Sequence, residues 1–332
     1  MKKDYLFFDL GTQNIRIFSS NNGLIFHGPS VIAINDEAEL VAYGNNAVEM
    51  PLSREMKVVN PVANGTIANH HALLLMLQAI LSDHYRKGFR TKVKGVFSIP
   101  PFATNVEQRA YIYVGEAMDF FQLLFIPEYI FILTSIYKSI GPFGFEFIGQ
   151  TGAGRLDAYL LNNGKLLYGD TQKGGFEKII RGMLKKIRFE KGIQIGRKSL
   201  FEALSEQDQK TVTMKGRNRV TGEAIEKSIE CDFFEELREE GLADFISLIK
   251  GVFEQLSPDL SAEFLEKGLR LSGGPAKEKW FRDSVKKRTG FSVLISDTPG
   301  EDLLKGFKIC SNDFQQEELE RFNLLGNIIE VR

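Results

Sequence analysis

The stretch FFDLGTQNIRIF, Phe7 to Phe18, runs apolar strand, polar turn, strand, and a close analogue returns mid-chain as FEFIGQTGAGRLDAYLLNNGKLLYGD, Phe145 to Asp170. Two copies of one strand–turn–strand unit, each leading a mixture of strands and helices, constrain this chain more than any other feature. They imply a duplicated α/β architecture with a cleft between the halves, where ligands commonly sit. A plain hairpin accounts for Gly11, Thr12, Gln13 and Asn14, because Gly and Asn are ordinary turn residues. A phosphate cradle accounts for them equally: N–H groups of a tight turn converge on an anion, and a carboxylate such as Asp9 can hold hydrated Mg²⁺ beside them. The stretch alone leaves both open.

At 332 residues the chain has room for two domains or one large one. Its 43% hydrophobic and 26% charged residues are those of an ordinary globular protein. A net charge of −1 supplies no global field toward nucleic acid or an anionic membrane, so nucleic acid is not an expected partner. Cys231 and Cys310 are isolated and no Cys/His cluster has metal-ligand spacing, which points to a reducing compartment. The opening MKKDYLFFDL meets Asp4 and Asp9 too soon for a signal peptide. The most apolar run, Phe120 to Tyr137, is interrupted by Pro127 and Glu128 and reads as a buried strand, a turn and an apolar helix.

Short β-branched runs predict strands at Ser30 to Asn35 and Val93 to Pro101. Between them HHALLLMLQAILSDHYRK is helical, and NVEQRAYIYVGEAM is a second helix with Asn105 as its N-cap. In the second half, Arg188 to Glu230 reads as an inserted unit whose TVTMKGRNRVTGEAIEKSI forms a hairpin. Helices are expected over Phe233 to Gln255 and Ala262 to Lys267. GLRLSGGPAKEKWFRDSVKKRTG then gives a strand, a Gly-Gly turn and a helix start, whose amides can meet a ribose, phosphate or base.

Three glycine turns at strand–helix junctions are far more specific than any one alone. DLGTQN, GPSVIAI, YGNNAVEM, NPVANGTIANH, SIPPFATNVEQRA, VTMKGRNRVTGE, SPDLSAEFLEKGLRLSGG and TGFSVLISDTPGEDLLKG resemble, in order, segments of the MreB family, the bacterial actin homologues that set cell shape. The resemblance covers nearly the whole chain. It implies an α/β, actin-like two-lobed fold, shared with heat-shock chaperone ATPases and sugar kinases and built from duplicated RNase H-like domains. Lobe I is expected over 1–143 and 310–332, with a small subdomain at about 31–74. Lobe II is expected over 144–309, with a small subdomain at about 181–235. ATP or ADP with Mg²⁺ is expected between the lobes, with assembly of the chain into filaments.

The departures from the family pattern matter as much. The family's second phosphate turn, Asp-Ile-Gly-Gly-Gly-Thr-Thr, falls on Gln150, Thr151, Gly152, Ala153, Gly154, Arg155 and Leu156, losing an acid and two hydroxyls. Glu107 matches the glutamate of Val-Glu-Lys-Arg-Ala, implied to orient the attacking water. Hydrolysis depends mainly on positioning and charge stabilisation, so weak or lost activity is expected. Arg155 is available to neutralise phosphate charge directly, or it points to solvent. The family's GERTAE becomes GRKSLFE, placing Arg197 and Lys198 at the nucleoside end. Gly273, Gly274, Pro275 and Ala276 form the third turn, where Pro275 removes a backbone donor. Tyr129, Ile130, Phe131 and Ile132 replace small residues, which implies a narrower cleft or one packed shut on one side.

His70 and His71 are adjacent and point apart, so surface or cap roles are expected rather than chelation. Trp280 is expected in the core. The segment from Tyr85 to Lys94, HYRKGFRTKVK with His84, sets Arg86, Lys87, Arg90, Lys92 and Lys94 around Tyr85 and Phe89. It is either an exposed basic turn or a membrane contact. The expectation is a cytoplasmic filament-forming protein at the inner face of the cell membrane, acting with cell-shape or division machinery. A non-polymerising actin-fold scaffold and a small-molecule kinase are the alternatives.

Overall fold

The apolar runs that begin at Asp4 and Phe145 each become the middle of a mixed sheet. The computed structural model describes residues 4–50, 56–85, 93–206, 210–312, 318–324 and 329–330. The first sheet contains β1 (Asp4–Leu10), β2 (Asn14–Ser19), β3 (Gly23–Pro29), β4 (Val93–Ile99) and β5 (Gln122–Pro127), in the order β3-β2-β1-β4-β5, with Ile329–Glu330 antiparallel beyond β5. The second contains β6 (Phe145–Thr151), β7 (Arg155–Asn162), β8 (Lys165–Lys173), β9 (Leu269–Ser272) and β10 (Val293–Leu294), in the order β8-β7-β6-β9-β10. In each sheet the first three strands form an antiparallel meander and the last two run parallel to the first. The duplication in the sequence is therefore a duplication of topology. It extends to register: Asp9 faces Arg16 and Leu10 faces Ile15 in one hairpin, while Gln150 faces Asp157 and Thr151 faces Leu156 in the other.

Parallel neighbours require crossovers, which helices supply. The principal helices are α1 (His70–His84), α2 (Asn105–Ala117), α3 (Glu128–Tyr137), α4 (Gly175–Glu190), α5 (Arg197–Ser205), α6 (Cys231–Phe253), α7 (Pro258–Lys267), α8 (Lys279–Thr289) and α9 (Asp302–Cys310). The N-cap of α2 is Thr104, one residue before the expected Asn105. The Thr104 hydroxyl accepts from the Glu107 N–H, and the Glu107 carboxylate accepts from the Thr104 N–H, a reciprocal cap. The expected hairpin in the inserted unit is present as Thr211–Asn218 against Ala224–Glu230, with Ile193–Gln194 alongside. A small sheet of Ile32–Asn35, Leu40–Tyr43 and Met56–Val59 stands beyond the first sheet.

The core lies in three layers. Leu6, Phe8, Phe97 and Phe125 pack outward against α1 and α2. Phe147 and Leu160 pack outward against α4, α6 and α8, where Trp280 is fully buried, as expected, and stacks on Phe176. The third layer lies between the sheets, where α3 and α9 meet Phe7, Val96, Ile148 and Tyr159. The bulk of α3 is spent here: Ile130, Phe131 and Ile132 fill this layer and are not among the residues lining the cavity. Gly306 on α9 makes the room, since a Cβ there would collide with the Phe131 carbonyl.

Candidate functional site

The two hairpin turns are built alike. The Gly11 N–H donates to the Asn14 carbonyl at 3.1 Å and the Gly152 N–H to the Arg155 carbonyl at 2.8 Å. A Cβ on Gly11 would stand 2.6 Å from the Asn14 oxygen, a collision, and on Gly152 3.0 Å from the Arg155 oxygen, a tight fit, so glycine suits both turns. The turns also meet each other. The Gly65 N–H donates to Thr12 Oγ1 at 2.8 Å, and a Cβ on Gly154 would collide with both of those atoms. The start of α4 backs the second turn, with the Phe176 and Glu177 N–H groups donating to the Gly152 and Ala153 carbonyls at 3.0 Å each. Among the described residues, the backbone N–H groups of Thr12, Gln13, Ala153 and Gly154 donate to no acceptor, and all four residues line one cavity. Unpaired donors on residues of a cavity wall are what an anion requires.

That cavity has a volume of about 440 Å³, within the range of small-molecule sites. Its third wall is Gly273, Gly274 and Pro275. Gly273 has φ 101°, a conformation that favours glycine, and its N–H donates to the Pro299 carbonyl at 2.8 Å. A Cβ on Gly274 meets nothing within 4 Å, so this wall is bare. At the far end stand Phe176, Phe201 and Arg197, the last ion-paired with Glu177. Gly11, Asn14, Gly152, Arg155 and Asp9 also line the cavity. Lys198 and Ala276 do not. Lys198 points outward, 91% exposed and 3.9 Å from Glu202, and Ala276 is sealed in the core of the second half.

Arg155 neither faces solvent nor stands free for a phosphate. Its Nε donates to both Asp157 oxygens at 2.8 and 2.7 Å, its Nη2 donates to Glu128 at the start of α3, and its Nη1 reaches the Gly65 carbonyl at 3.5 Å. Burial works against the Arg155 charge, but Asp157 and Glu128 outweigh it and hold the guanidinium above its ordinary value. Burial pushes Glu128 up to about 7; Arg155 opposes this, and the nearby charges of Asp157 and Asp9 reinforce it. Gln150, the neutral replacement for the family acid, accepts from the Tyr159 hydroxyl at 2.5 Å. In the first hairpin Arg16 Nη1 donates to Asp9 Oδ2 at 2.9 Å and its Nη2 to the Gly300 carbonyl at 3.1 Å.

Glu128, Asp157, Arg16 and Gly65 are cleft residues that the motifs did not single out. Two of them were readable from register: the residue seven after Asp9 is Arg16, and seven after Gln150 is Asp157, each the cross-strand partner at the hairpin mouth. A divalent cation finds a poor donor set. Asp9, expected to hold Mg²⁺, is committed to Arg16, and the described residues contain no group of three or more His, Cys, Asp or Glu side chains suited to a metal.

Glu107 lies off the cavity wall. It caps α2 and pairs with Lys173 of β8 at 2.6 Å, and these bonds hold its carboxyl below the usual range although burial alone would raise it. His70 and His71 sit exposed in the first turn of α1, as expected. Of the expected membrane segment, Arg86 to Lys92 fall outside the described residues. Its two ends turn inward: the Tyr85 hydroxyl donates to Asp4 at 3.2 Å, and Lys94 is buried against Glu320 at 2.8 Å. Lys94 is therefore not part of a basic surface. No helix among the described residues is long and apolar enough to cross a membrane.

Two sheets of one topology, flanking a cavity floored by their matched hairpin turns, define an actin-like α/β protein. The chain belongs to the MreB/Mbl family, whose model for MreB/Mbl protein matches residues 3–319. It is 22% identical over 307 residues to the cell shape-determining protein MreB of Escherichia coli (strain K12), covering 88% of each chain. It is 22% identical over 302 residues to the cell shape-determining protein Mbl of Bacillus subtilis (strain 168), covering 88% of this chain and 90% of that protein. Among solved structures, MreB 5 of Spiroplasma citri bound to AMPPNP superposes with a TM-score of 0.83 at 20% identity, over 96% of this chain and 98% of that one. The MamK double helical filament gives 0.72 at 16% identity, over 92% and 98%.

Proposed function

We propose that this chain is a cell-shape protein that binds adenine nucleotide in the cavity between its sheets and assembles with copies of itself into filaments. The observation that carries the nucleotide is that Thr12, Gln13, Ala153 and Gly154 line one cavity and that their N–H groups donate to no acceptor among the described residues. Support comes from the Spiroplasma citri protein of the same fold, solved with AMPPNP and with ADP. The MamK filament, likewise of this fold, supports assembly, and the names of the MreB and Mbl relatives support the cell-shape role. In this proposal the phosphates lie against the hairpin turns and the nucleoside extends toward Phe201 and Arg197. Hydrolysis is weak or lost, because Glu107 is held by Thr104 and Lys173 away from the cavity. Attachment at the inner face of the membrane rests on Arg86 to Lys92 with Phe89, since Tyr85 and Lys94 are occupied within the protein.

The test uses Gly274→Val rather than a substitution at Gly11. A side chain at Gly11 breaks the turn itself, whereas one at Gly274 starts from open space. Binding of a fluorescent ADP analogue is expected in the wild type and about tenfold or more weaker in the variant, with unchanged thermal unfolding. Pelleting of the wild type at high speed reads assembly. A wild-type protein that binds neither ADP nor ATP, or a folded Gly274→Val protein with unaltered affinity, overturns the placement of the ligand.

A further inference from the structure

We infer that the phosphate end of this cavity takes its nucleotide without help from a divalent cation, with Arg16 and Arg155 as the fixed cations of the site; the inference rests on the nucleotide binding proposed above. A magnesium ion on a phosphate chain is ordinarily held by one or two carboxylates as well as by the phosphates. Three carboxylates reach this end of the cavity, those of Asp9, Glu128 and Asp157. Arg155 Nε spans both oxygens of Asp157, and its Nη2 is on Glu128. Arg16 is on Asp9 at 2.9 Å and is itself moored to the Gly300 carbonyl, so it cannot swing aside without losing a second bond. Gln150 is neutral, and its side-chain oxygen already accepts from Tyr159.

Two oxygens, Asp9 Oδ1 and Glu128 Oε2, accept no hydrogen bond among the described residues, but each belongs to a carboxylate already paired with an arginine. A cation placed there meets a neutralised acid and a neighbouring guanidinium. The backbone N–H groups of the two turns, by contrast, donate to phosphate oxygens whether or not a metal accompanies them. Overall electrostatics do not reverse the balance. The cavity wall carries five carboxylates against four basic groups, an excess of one spread around a water-filled space and screened by salt.

The experiment is equilibrium binding of a fluorescent ADP analogue to the full chain, in excess MgCl₂ and in EDTA, at matched ionic strength. The expected affinities differ by less than about tenfold. A loss of tenfold or more in EDTA overturns the inference while leaving nucleotide binding intact, whereas no binding in either buffer overturns both. The second arm is Arg16→Gln, which frees the Asp9 carboxylate at a position that is only partly buried. In that variant Mg²⁺ is expected to strengthen binding relative to EDTA by more than in the wild type. An unchanged ratio in a folded Arg16→Gln protein shows that Arg16 does not exclude the cation, and the inference falls.

Discussion

The two hairpins that floor the cavity share length, register and an opening glycine, yet they hold their charges differently. In the first, Asp9 and Arg16 face each other across adjacent strands, with side chains 15% and 19% exposed. In the second, the corresponding positions are Gln150 and Asp157, and the arginine, Arg155, opens the returning strand. That guanidinium reaches both to Asp157 of its own hairpin and to Glu128 of the other half, and all three side chains are nearly sealed from water. Water separates the two designs energetically. A partly exposed pair contributes little, while a buried charge depends wholly on its partners. The first hairpin is a local clasp, and the second a cross-link between halves.

The widest gap between them is expected on deleting each arginine. Arg155→Ala leaves Glu128 and Asp157 buried without a counter-charge and is expected to lower unfolding stability by about 3–5 kcal/mol. Arg16→Ala should cost about 1 kcal/mol or less. Urea unfolding of both variants measures the difference, and equal losses would abolish the distinction between clasp and cross-link.

A smaller contrast lies in the turns themselves. Gly154 and Gln13 occupy matching places, but a Cβ on Gly154 would strike Thr12 Oγ1 and the Gly65 N–H. Gly154→Ala is expected to destabilise by about 1–3 kcal/mol, as overpacking does. Gln13→Ala, on an exposed side chain, should stay within about 0.5 kcal/mol. Thermal unfolding of the pair sharpens the comparison, and a neutral Gly154→Ala would mean that the turns are not held in contact.

A further contrast concerns pH. Glu128 is pushed up to about 7 in the folded protein, above its ordinary 4.5, chiefly by burial. The folded state therefore holds this proton more tightly than the unfolded chain. The resulting stability is fully present below about 4.5 and is lost as pH rises through about 7. The wild type is expected to lose about 3 kcal/mol across that window beyond what Glu128→Gln loses. Urea midpoints on either side of the window measure it. Parallel pH profiles for the two proteins would show that Glu128 stays ionised throughout.

Much of this site was legible in the sequence because it depends on local chemistry. Gly11 announces a turn that closes around glycine, whereas the N-cap of α2, read as Asn105, is Thr104, whose spacing to Glu107 makes the reciprocal cap. The charge network was not legible in the same way. Arg155 looks like a free cation until Glu128, 27 residues earlier and in the other half, is brought onto its Nη2. Asp157 lay within reach of reasoning, since hairpin register puts it opposite Gln150. The bulk of Ile130 to Ile132 was visible, but its direction was not: side-chain size says nothing about which layer it fills, and the space was provided by Gly306 far along the chain. Lys94 reads as one more surface charge until Glu320 arrives to pair with it.

At Gly306, α9 lies on α3 backbone to backbone, in the layer between the two sheets. Packed helices slide past one another only by lifting over side chains, and this close approach leaves no side chain of α9 to lift at that point. Any turn of one sheet against the other about this crossing would displace atoms in proportion to their distance from it, least beside Phe131 and most at the outer rims.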